Sequence, residues 1–153
     1  MKSQPTESVA TLMIVDIARL LRKRFEIAMT HVDTGLTVAE ARTLAFIDRY
    51  PGLRQAALAE RMSVEPMTLV GYLDSLESAG LVARVVDPSD RRAKLVNLTD
   101  KCTPVIKKID GAITKVRAAT FSGMTEEERQ QLESLLGLMK DNLLSEEADP
   151  CLS

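Results

Sequence analysis

One dense group of basic side chains lies near the tip of a predicted turn, in and just after a charged segment, Asp87 to Arg92, that separates two short β-rich runs. Its Asp-Pro-Ser sequence is typical of turns, so we expect a β-hairpin with a charged tip. Arg91, Arg92 and Lys94 could bind phosphate oxygens there, whereas a solvated hairpin is the usual explanation for a run of charges.

Residues that commonly catalyse reactions or bind metals are sparse. The chain has one histidine and two cysteines, Cys102 and Cys151, which lie 49 positions apart and build neither a zinc site nor a disulfide framework. We find no Ser/His/Asp set, glycine-rich phosphate loop or nucleotide fingerprint. We therefore expect no enzyme activity, no metal and no cofactor.

The composition is that of a globular protein. The 153 residues are 45% apolar and 27% charged, with a net charge of −2. Residues 125–153 hold eight acidic against two basic residues, so the rest of the chain is mildly basic. The apolar run Val9–Val15 is too short to span a membrane, and we expect a cytoplasmic protein.

Helical periodicity and capping signals organise the chain around that hairpin. The predicted elements are a helix over 9–33, a helix from Thr37 to before Pro51, a helix from about Arg54 to Met62, a helix from Pro66 to Gly80, β-rich runs over Leu81–Val86 and Ala93–Leu98, and helices capped by Thr99-Asp100 and by Thr125.

This order predicts a mainly α fold with a small β-hairpin wing, namely a winged helix-turn-helix over residues 36–99. Residues 1–35 and 100–146 would form dimerisation helices, because they are more apolar than so small a core can bury, and 147–153 a loose tail. In such a fold the second helix of the turn enters the DNA major groove. A two-fold dimer would read a palindromic duplex with half-sites about 34 Å apart.

Several short motifs between Gly35 and Thr99 occur together in this order. They are Gly35-Leu-Thr37, Leu58-Ala59-Glu60-Arg61, Pro66-Met-Thr68, Leu73-Asp74-Ser-Leu76-Glu77, Gly80-Leu-Val-Ala-Arg84, Asp87-Pro-Ser-Asp90-Arg91-Arg92-Ala93 and Val96-Asn-Leu98-Thr99. With this set the chain resembles the MarR (multiple antibiotic resistance regulator) family of bacterial transcriptional regulators. Since the helices on both sides also fall in register, the resemblance is to its SlyA-like branch.

The resemblance implies a homodimeric regulator of transcription, a repressor or anti-repressor, that binds duplex DNA. In the family an Asp-x-Arg pair at the wing tip sends its arginine into the minor groove, while the acid holds the side chain. These residues are Asp90 and Arg92 here, and Arg91 and Lys94 would assist them. Arg84, at the base of the wing, is as well placed to pair with Asp87 or Asp90 as to contact a phosphate.

The helix predicted to read DNA should expose six residues: Glu65, Met67, Thr68, Gly71, Tyr72 and Ser75. Relatives often have Arg or Lys at the positions of Gly71 and Ser75, so we expect weak base readout and more reliance on the wing and on DNA shape. Thr68 could bond a phosphate or a base edge, and Met67 could touch a thymine methyl. Arg54 and Gln55, which open the preceding helix, could hold a phosphate or be solvated.

In the family, small aromatic acids and other anions bind between the dimer helices and the winged module. Arg19, Arg22, His31 and Arg42 are the cationic groups that could line such a pocket for a phenolic or aromatic acid, although a lone histidine is more often a surface residue. Cys102 could sense oxidants if a helix N-terminus lowered its pKa, but burial as a small hydrophobe is the commoner case.

A second function remains open, that of a winged-helix module that binds protein with little DNA specificity. The lack of basic residues in the reading helix favours it, whereas the arginines of the wing favour DNA.

Overall fold

The computed structural model describes residues 6–146, with side chains described for residues 9–145. The expected loose tail at 147–153, Cys151 within it, and residues 1–5 of the first expected dimerisation segment lie outside the described residues. Within the described part, no helix is long and apolar enough to cross a membrane.

The predicted mainly α, winged helix-turn-helix fold is confirmed. Residues 6–146 form six α-helices and three strands, in the following order: α1 Thr6–Thr30, α2 Val38–Arg49, β1 Leu53–Arg54, α3 Gln55–Met62, α4 Pro66–Ser78, β2 Val82–Asp87, β3 Asp90–Leu98, a 3-10 helix Asp100–Cys102, α5 Thr103–Thr120 and α6 Glu126–Glu146.

Two compact units divide the chain, residues 1–116 and residues 117–153. The first unit has a closed apolar core, in which Leu44, Leu58 and Leu73 have no exposed surface. In the second unit, by contrast, long apolar side chains of α6 such as Leu138 and Leu143 are exposed by 60% and 64%. The core that orients the helix-turn-helix therefore belongs to the first unit.

Local capping chemistry sets where several helices begin. Thr37 and Glu40 form a reciprocal capping box at the start of α2, with the Glu40 amide donating to Thr37 Oγ1 at 3.2 Å and the Thr37 amide donating to Glu40 Oε2 at 2.8 Å. Thr125 and Glu128 make the same exchange before α6. Thr99 occupies the predicted N-cap position, at the start of the 3-10 helix, but its hydroxyl donates to the Gly80 carbonyl at 2.6 Å and makes no capping hydrogen bond.

The wing is a three-stranded antiparallel sheet in the order β1-β3-β2. The two-residue strand β1, which the sequence did not predict, pairs Arg54 with Leu95. The predicted hairpin is confirmed, but its turn is shorter than the predicted segment 87–92, because Asp87 already pairs with Asp90 and leaves a loop of only two residues.

The register of β2 and β3 is interrupted just beside that loop. Val86 lies opposite Lys94, but the next residue, Asp87, lies opposite Asp90. The three intervening residues of β3, 91–93, have no partner on β2. Arg91 and Arg92 thus stand in a bulge of the strand, and not in the turn.

Candidate nucleic-acid interface

The helix-turn-helix presents one face of α4 to solvent. Ser63 ends α3 in the left-handed conformation, with φ of 52°, and Pro66 starts α4 three residues later. Leu69, Leu73 and Leu76 lie at 0% exposure against the core, so the opposite side of the helix is solvent-facing.

Five of the six residues predicted on the solvent face of α4 are exposed: Glu65, Met67, Thr68, Gly71 and Ser75. Met67 is the most exposed large apolar side chain among the described residues, at 77%. The predicted exposure of Tyr72 is wrong, since its ring is half-buried and packs against the core. From Pro66 to Ser78, α4 contains two acids and no lysine or arginine, so any cation at this face must come from another element.

The cations lie across a cleft of about 510 Å³ between the start of α3, α4 and the wing. Gln55 and Ala56 line it from α3, and Val70 lines it from α4. The wing contributes the remaining lining residues: Arg84, Asp90, Arg92, Ala93 and Lys94, with Arg54 beside them. The structure thus brings most of the predicted wing residues and both predicted α3 residues to one place.

Arg54 reaches from the start of α3 to the turn of the wing. Its Nε and Nη2 each lie 2.7 Å from Asp87 Oδ2, and Nη2 also donates to Ser89 Oγ at 3.1 Å. Its Nη1 lies 3.7 Å from Asp90 Oδ2. The solvent exposure expected as the alternative for Arg54 is present, since 46% of its side chain is exposed, but its guanidinium is also paired with groups of the same chain.

Asp87 is buried, with 7% of its surface exposed, and both of its carboxylate oxygens accept hydrogen bonds. Its Oδ1 accepts from the Ser89 amide at 2.8 Å and from the Ser89 hydroxyl at 2.7 Å. These hydrogen bonds and the ion pair with Arg54 hold the pKa of Asp87 below its ordinary value. The carboxylate is consequently charged at neutral pH.

Arg84 is also occupied, but by partners other than the predicted Asp87 and Asp90. Its Nη2 lies 2.6 Å from Glu77 Oε2 and 2.5 Å from Asp74 Oδ1, and its side chain is only 12% exposed. The same hydrogen bonds lower the pKa of Glu77 and raise that of Arg84. Arg84 therefore fastens β2 to the second half of α4, which argues against a direct role in phosphate binding.

Three exposed cations remain on β3: Arg91, Arg92 and Lys94. Among residues 9–145, no ion pair within 4 Å involves any of them. Asp90 Oδ1 accepts from the Arg92 main-chain amide at 3.0 Å. Asp90 thus supports the backbone of Arg92, whereas the family resemblance implied that it would hold the side chain.

Sequence reasoning missed the acids and the hydroxyl that occupy the two paired arginines. Asp74 and Glu77 were noted only as part of a motif, and Ser89 only as a turn residue. The Arg54 contacts join residues 33 and 35 positions apart, so no local spacing indicates them. The one available signal is that two acids, Asp87 and Asp90, lie close together in the turn sequence.

The candidate effector residues do not converge. Arg42 lines a pocket of about 440 Å³ between α1 and α2, together with Glu26 and Thr30. Burial is the main cause that lowers the pKa of Arg42, and the positive charge of Arg22 lowers it further. Arg42 Nη2 already donates to the Met62 carbonyl at 2.8 Å.

The other two candidate effector residues, Arg19 and His31, do not line this pocket. Arg19 is exposed and pairs with Asp16 one turn away at 3.2 Å, and His31 is exposed just beyond the end of α1. Arg22 does not line it either, so of the four candidates only Arg42 lies at this pocket.

Cys102 is fully buried in the core of the first unit. Burial raises the pKa of its thiol to about 11, and the charge of Asp48 adds to the effect. The lowered pKa that a redox sensor needs is therefore absent at Cys102, and the thiol acts as a small hydrophobic side chain.

Comparison with known proteins agrees with this architecture. The sequence profile of the MarR family matches residues 34–93, which contain α2, the helix-turn-helix and the outer part of the wing. A MarR-family transcriptional regulator from Silicibacter pomeroyi is 30% identical, with a TM-score of 0.75 over 89% of this chain and 90% of that one.

Two further solved structures are similar. The transcriptional regulator SlyA is 26% identical, with a TM-score of 0.69 over 90% of this chain and 95% of that one. The apo form of wild-type MarR from E. coli is 21% identical, with a TM-score of 0.65 over 91% and 98% of the two chains, and shows likeness of fold alone.

Proposed function

Because this chain belongs to the MarR family of transcriptional regulators, we propose that it controls transcription as a homodimer bound to a palindromic duplex operator. In this proposal α4 enters the major groove, and Arg92, assisted by Arg91 and Lys94, contacts the minor groove or flanking phosphates. The role of the chain is that of a repressor or anti-repressor, and not of an enzyme.

One observation carries the proposal: β3 exposes three cations that form no ion pair among residues 9–145, and two of them, Arg92 and Lys94, line the cleft shared with α4. Two other arginines at the same site are held by acids, so Arg91, Arg92 and Lys94 are the charges available to a polyanion. An extended guanidinium suits the strong negative potential of a narrow minor groove.

The proposed dimer is supported by apolar surface that each unit leaves exposed. On α1, Leu12, Met13 and Val15 are 56–66% exposed, and on α6 Leu143 and Leu144 are 64% and 54% exposed. Exposed apolar surface on this scale is typical of an interface with another chain. A second copy supplies the matching surface by symmetry, so residues 6–35 and 100–146 are proposed as the dimerisation segments.

The first experiment is a fluorescence-anisotropy titration of the full chain on the DNA upstream of its own gene, with a scrambled duplex as control. The salt concentration is varied at each duplex. The proposal predicts selective binding at two chains per duplex, with log affinity falling linearly with log salt concentration. Equal binding to both duplexes at every salt concentration would contradict it.

A protein-binding module is the second candidate, because α4 lacks any basic residue and exposes Met67. An apolar protein interface responds little to salt, so the same titration separates the two functions. Binding to DNA that is weak on every sequence, including those from an unbiased selection, favours the second candidate.

A small anionic ligand, such as a phenolic or aromatic acid, is proposed to modulate DNA binding through the pocket between α1 and α2. Arg42 is the cation that lines it, and Ile27 and Val38 supply apolar surface. A ligand there would change DNA affinity by altering the spacing of the two reading helices. An Arg42→Gln variant should keep DNA binding and lose the response to a ligand found by screening.

A further inference from the structure

We infer that Arg54 is a positioning residue: it fastens the turn of the wing to the start of α3 and so holds Arg92 where DNA can be contacted. This inference rests on the proposed function, and it assigns to Arg54 a role other than binding phosphate.

The contacts of Arg54 converge on every polar residue of the turn. Its guanidinium reaches Asp87 at 2.7 Å, Ser89 at 3.1 Å and Asp90 at 3.7 Å. Its own backbone is fixed twice, because Arg54 pairs with Leu95 in the sheet and is the N-cap residue of α3. One side chain therefore connects the helix-turn-helix to the outer end of the wing.

The Nε and Nη2 atoms of Arg54 are already engaged within the chain, although 46% of its side chain is exposed. Asp87 is buried, and Arg54 is its cationic partner. Moving the guanidinium to DNA would take the cationic partner away from Asp87 and leave that carboxylate with only its hydrogen bonds from Ser89. The pair is more stable as an internal tie.

The wing needs such a tie because its ladder is interrupted. Residues 91–93 have no partner on β2, so strand pairing alone does not hold this part of β3. Beyond the interruption, Asp90 accepts from the Arg92 amide at 3.0 Å and faces Arg54 Nη1. Arg54 is consequently connected to the backbone of Arg92 through a single residue, Asp90.

The direction in which one substitution changes DNA affinity shows whether Arg54 holds the turn or contacts DNA. Asp87→Asn removes a negative charge near bound DNA, so simple electrostatics predicts tighter binding. If Asp87 instead anchors Arg54, the same change weakens binding. We expect a loss of about tenfold, comparable to the loss of one DNA contact. As a matched control, Asp48→Asn removes an exposed acid from α2 and should not weaken binding.

A double-mutant cycle tests whether Arg54 acts through Arg92. Arg54→Gln should weaken operator binding about tenfold in the wild-type background and have little further effect in Arg92→Ala, because residues of one network are not additive. Additive losses would mean that Arg54 contacts DNA directly and would overturn the inference. Unchanged or tighter binding by Asp87→Asn would also overturn it.

A measurement without DNA keeps this test separate from the proposed function. Backbone ¹⁵N relaxation should show amides 89–92 as rigid in the wild type and mobile on the picosecond-to-nanosecond scale in Arg54→Gln, while helix α4 is unchanged. Equal rigidity would refute the inference. If Asp87→Asn or Arg54→Gln fails to fold, Ser89→Ala, which removes one exposed hydroxyl, should still raise the mobility of these amides. A wild-type chain that binds no DNA would refute the proposed function alone.

Discussion

Arg92→Ala is expected to weaken DNA binding on every sequence and to reduce its dependence on salt. Arg92 is exposed, has no ion-pair partner among residues 9–145, and stands in the unpaired stretch of β3. Its loss should therefore leave the fold and the oligomeric state unchanged, because no contact of the core depends on it.

The magnitude follows from counterion release. Each phosphate neutralised contributes about 0.9 to the slope of log affinity against log salt, and a dimer carries two copies of Arg92. In Arg92→Ala the slope of log affinity against log salt should therefore fall by about 1.8. The ratio of wild-type affinity to Arg92→Ala affinity should then shrink about twelvefold between 50 and 200 mM salt. That twelvefold change corresponds to about 1.5 kcal/mol per dimer.

The assay is the anisotropy titration at four or more salt concentrations, with size-exclusion chromatography and circular dichroism to establish state and fold. Arg49→Ala is the matched control, because it removes an exposed arginine from α2 that does not line the cleft. A salt slope equal to that of the wild type would refute the assignment of Arg92 to DNA, even if affinity fell.

Three further predictions concern stability and reactivity. Ser63→Gly should raise the free energy of unfolding by up to about 1 kcal/mol, measured by urea denaturation, because Ser63 has a positive φ of 52°; the same change at Ser75, inside α4, should lower it. Cys102 should resist thiol reagents at pH 7 in the folded chain and react after denaturation, because it is buried with a pKa of about 11; rapid reaction of the native thiol, read by mass spectrometry, would contradict this. Hydrogen bonds from Ser89 lower the pKa of Asp87, so its contribution is fully present above the ordinary aspartate pKa and is lost as the pH falls through the lowered value. The stability difference between the wild type and Asp87→Asn should therefore shrink as the pH falls below about 4, whereas a constant difference would show that the Asp87 charge is not involved.

The parts of the fold that were predictable are those set by neighbours within one or two helical turns. The capping box of Thr37 and Glu40 joins residues three apart, and Leu69, Leu73 and Leu76 follow helical spacing. Such signals located α2 and α4 to within a residue or two, since both the cap and the buried stripe are written in adjacent sequence.

The partners of the paired arginines could not be predicted in the same way. An arginine pairs with whichever acid the fold brings near, and the turn alone offered two candidates for Arg84. Its actual partners lie on α4, seven and ten positions earlier, and depend on how β2 leaves that helix. Strand β1 was missed for a similar reason, because two residues carry no alternation pattern and pair only when β3 is already in place.

The branch within the family is likewise not decided by overall likeness. Identity to SlyA, at 26%, is below that to the Silicibacter pomeroyi regulator, at 30%, and the TM-scores of 0.69 and 0.75 are close. The MarR family is therefore established, whereas the SlyA-like branch stays a prediction from the sequence motifs.

The charges of this interface divide the work of DNA binding between two elements. Helix α4 has acids and no cation, so it cannot supply the counterion release on which affinity depends. The exposed cations stand on β3, where residues 91–93 are free of the strand ladder and contact sequence-independent features of the duplex in our proposal. Substitutions on the exposed face of α4, such as Met67→Ala, should then change which operators are preferred while leaving the salt slope unchanged. Substitution of Arg91 or Lys94 should reduce the salt slope while leaving the operator preference unchanged. Arg54 joins the wing to the start of α3. The contacts of Arg54 therefore couple the affinity supplied by β3 to the operator preference supplied by α4.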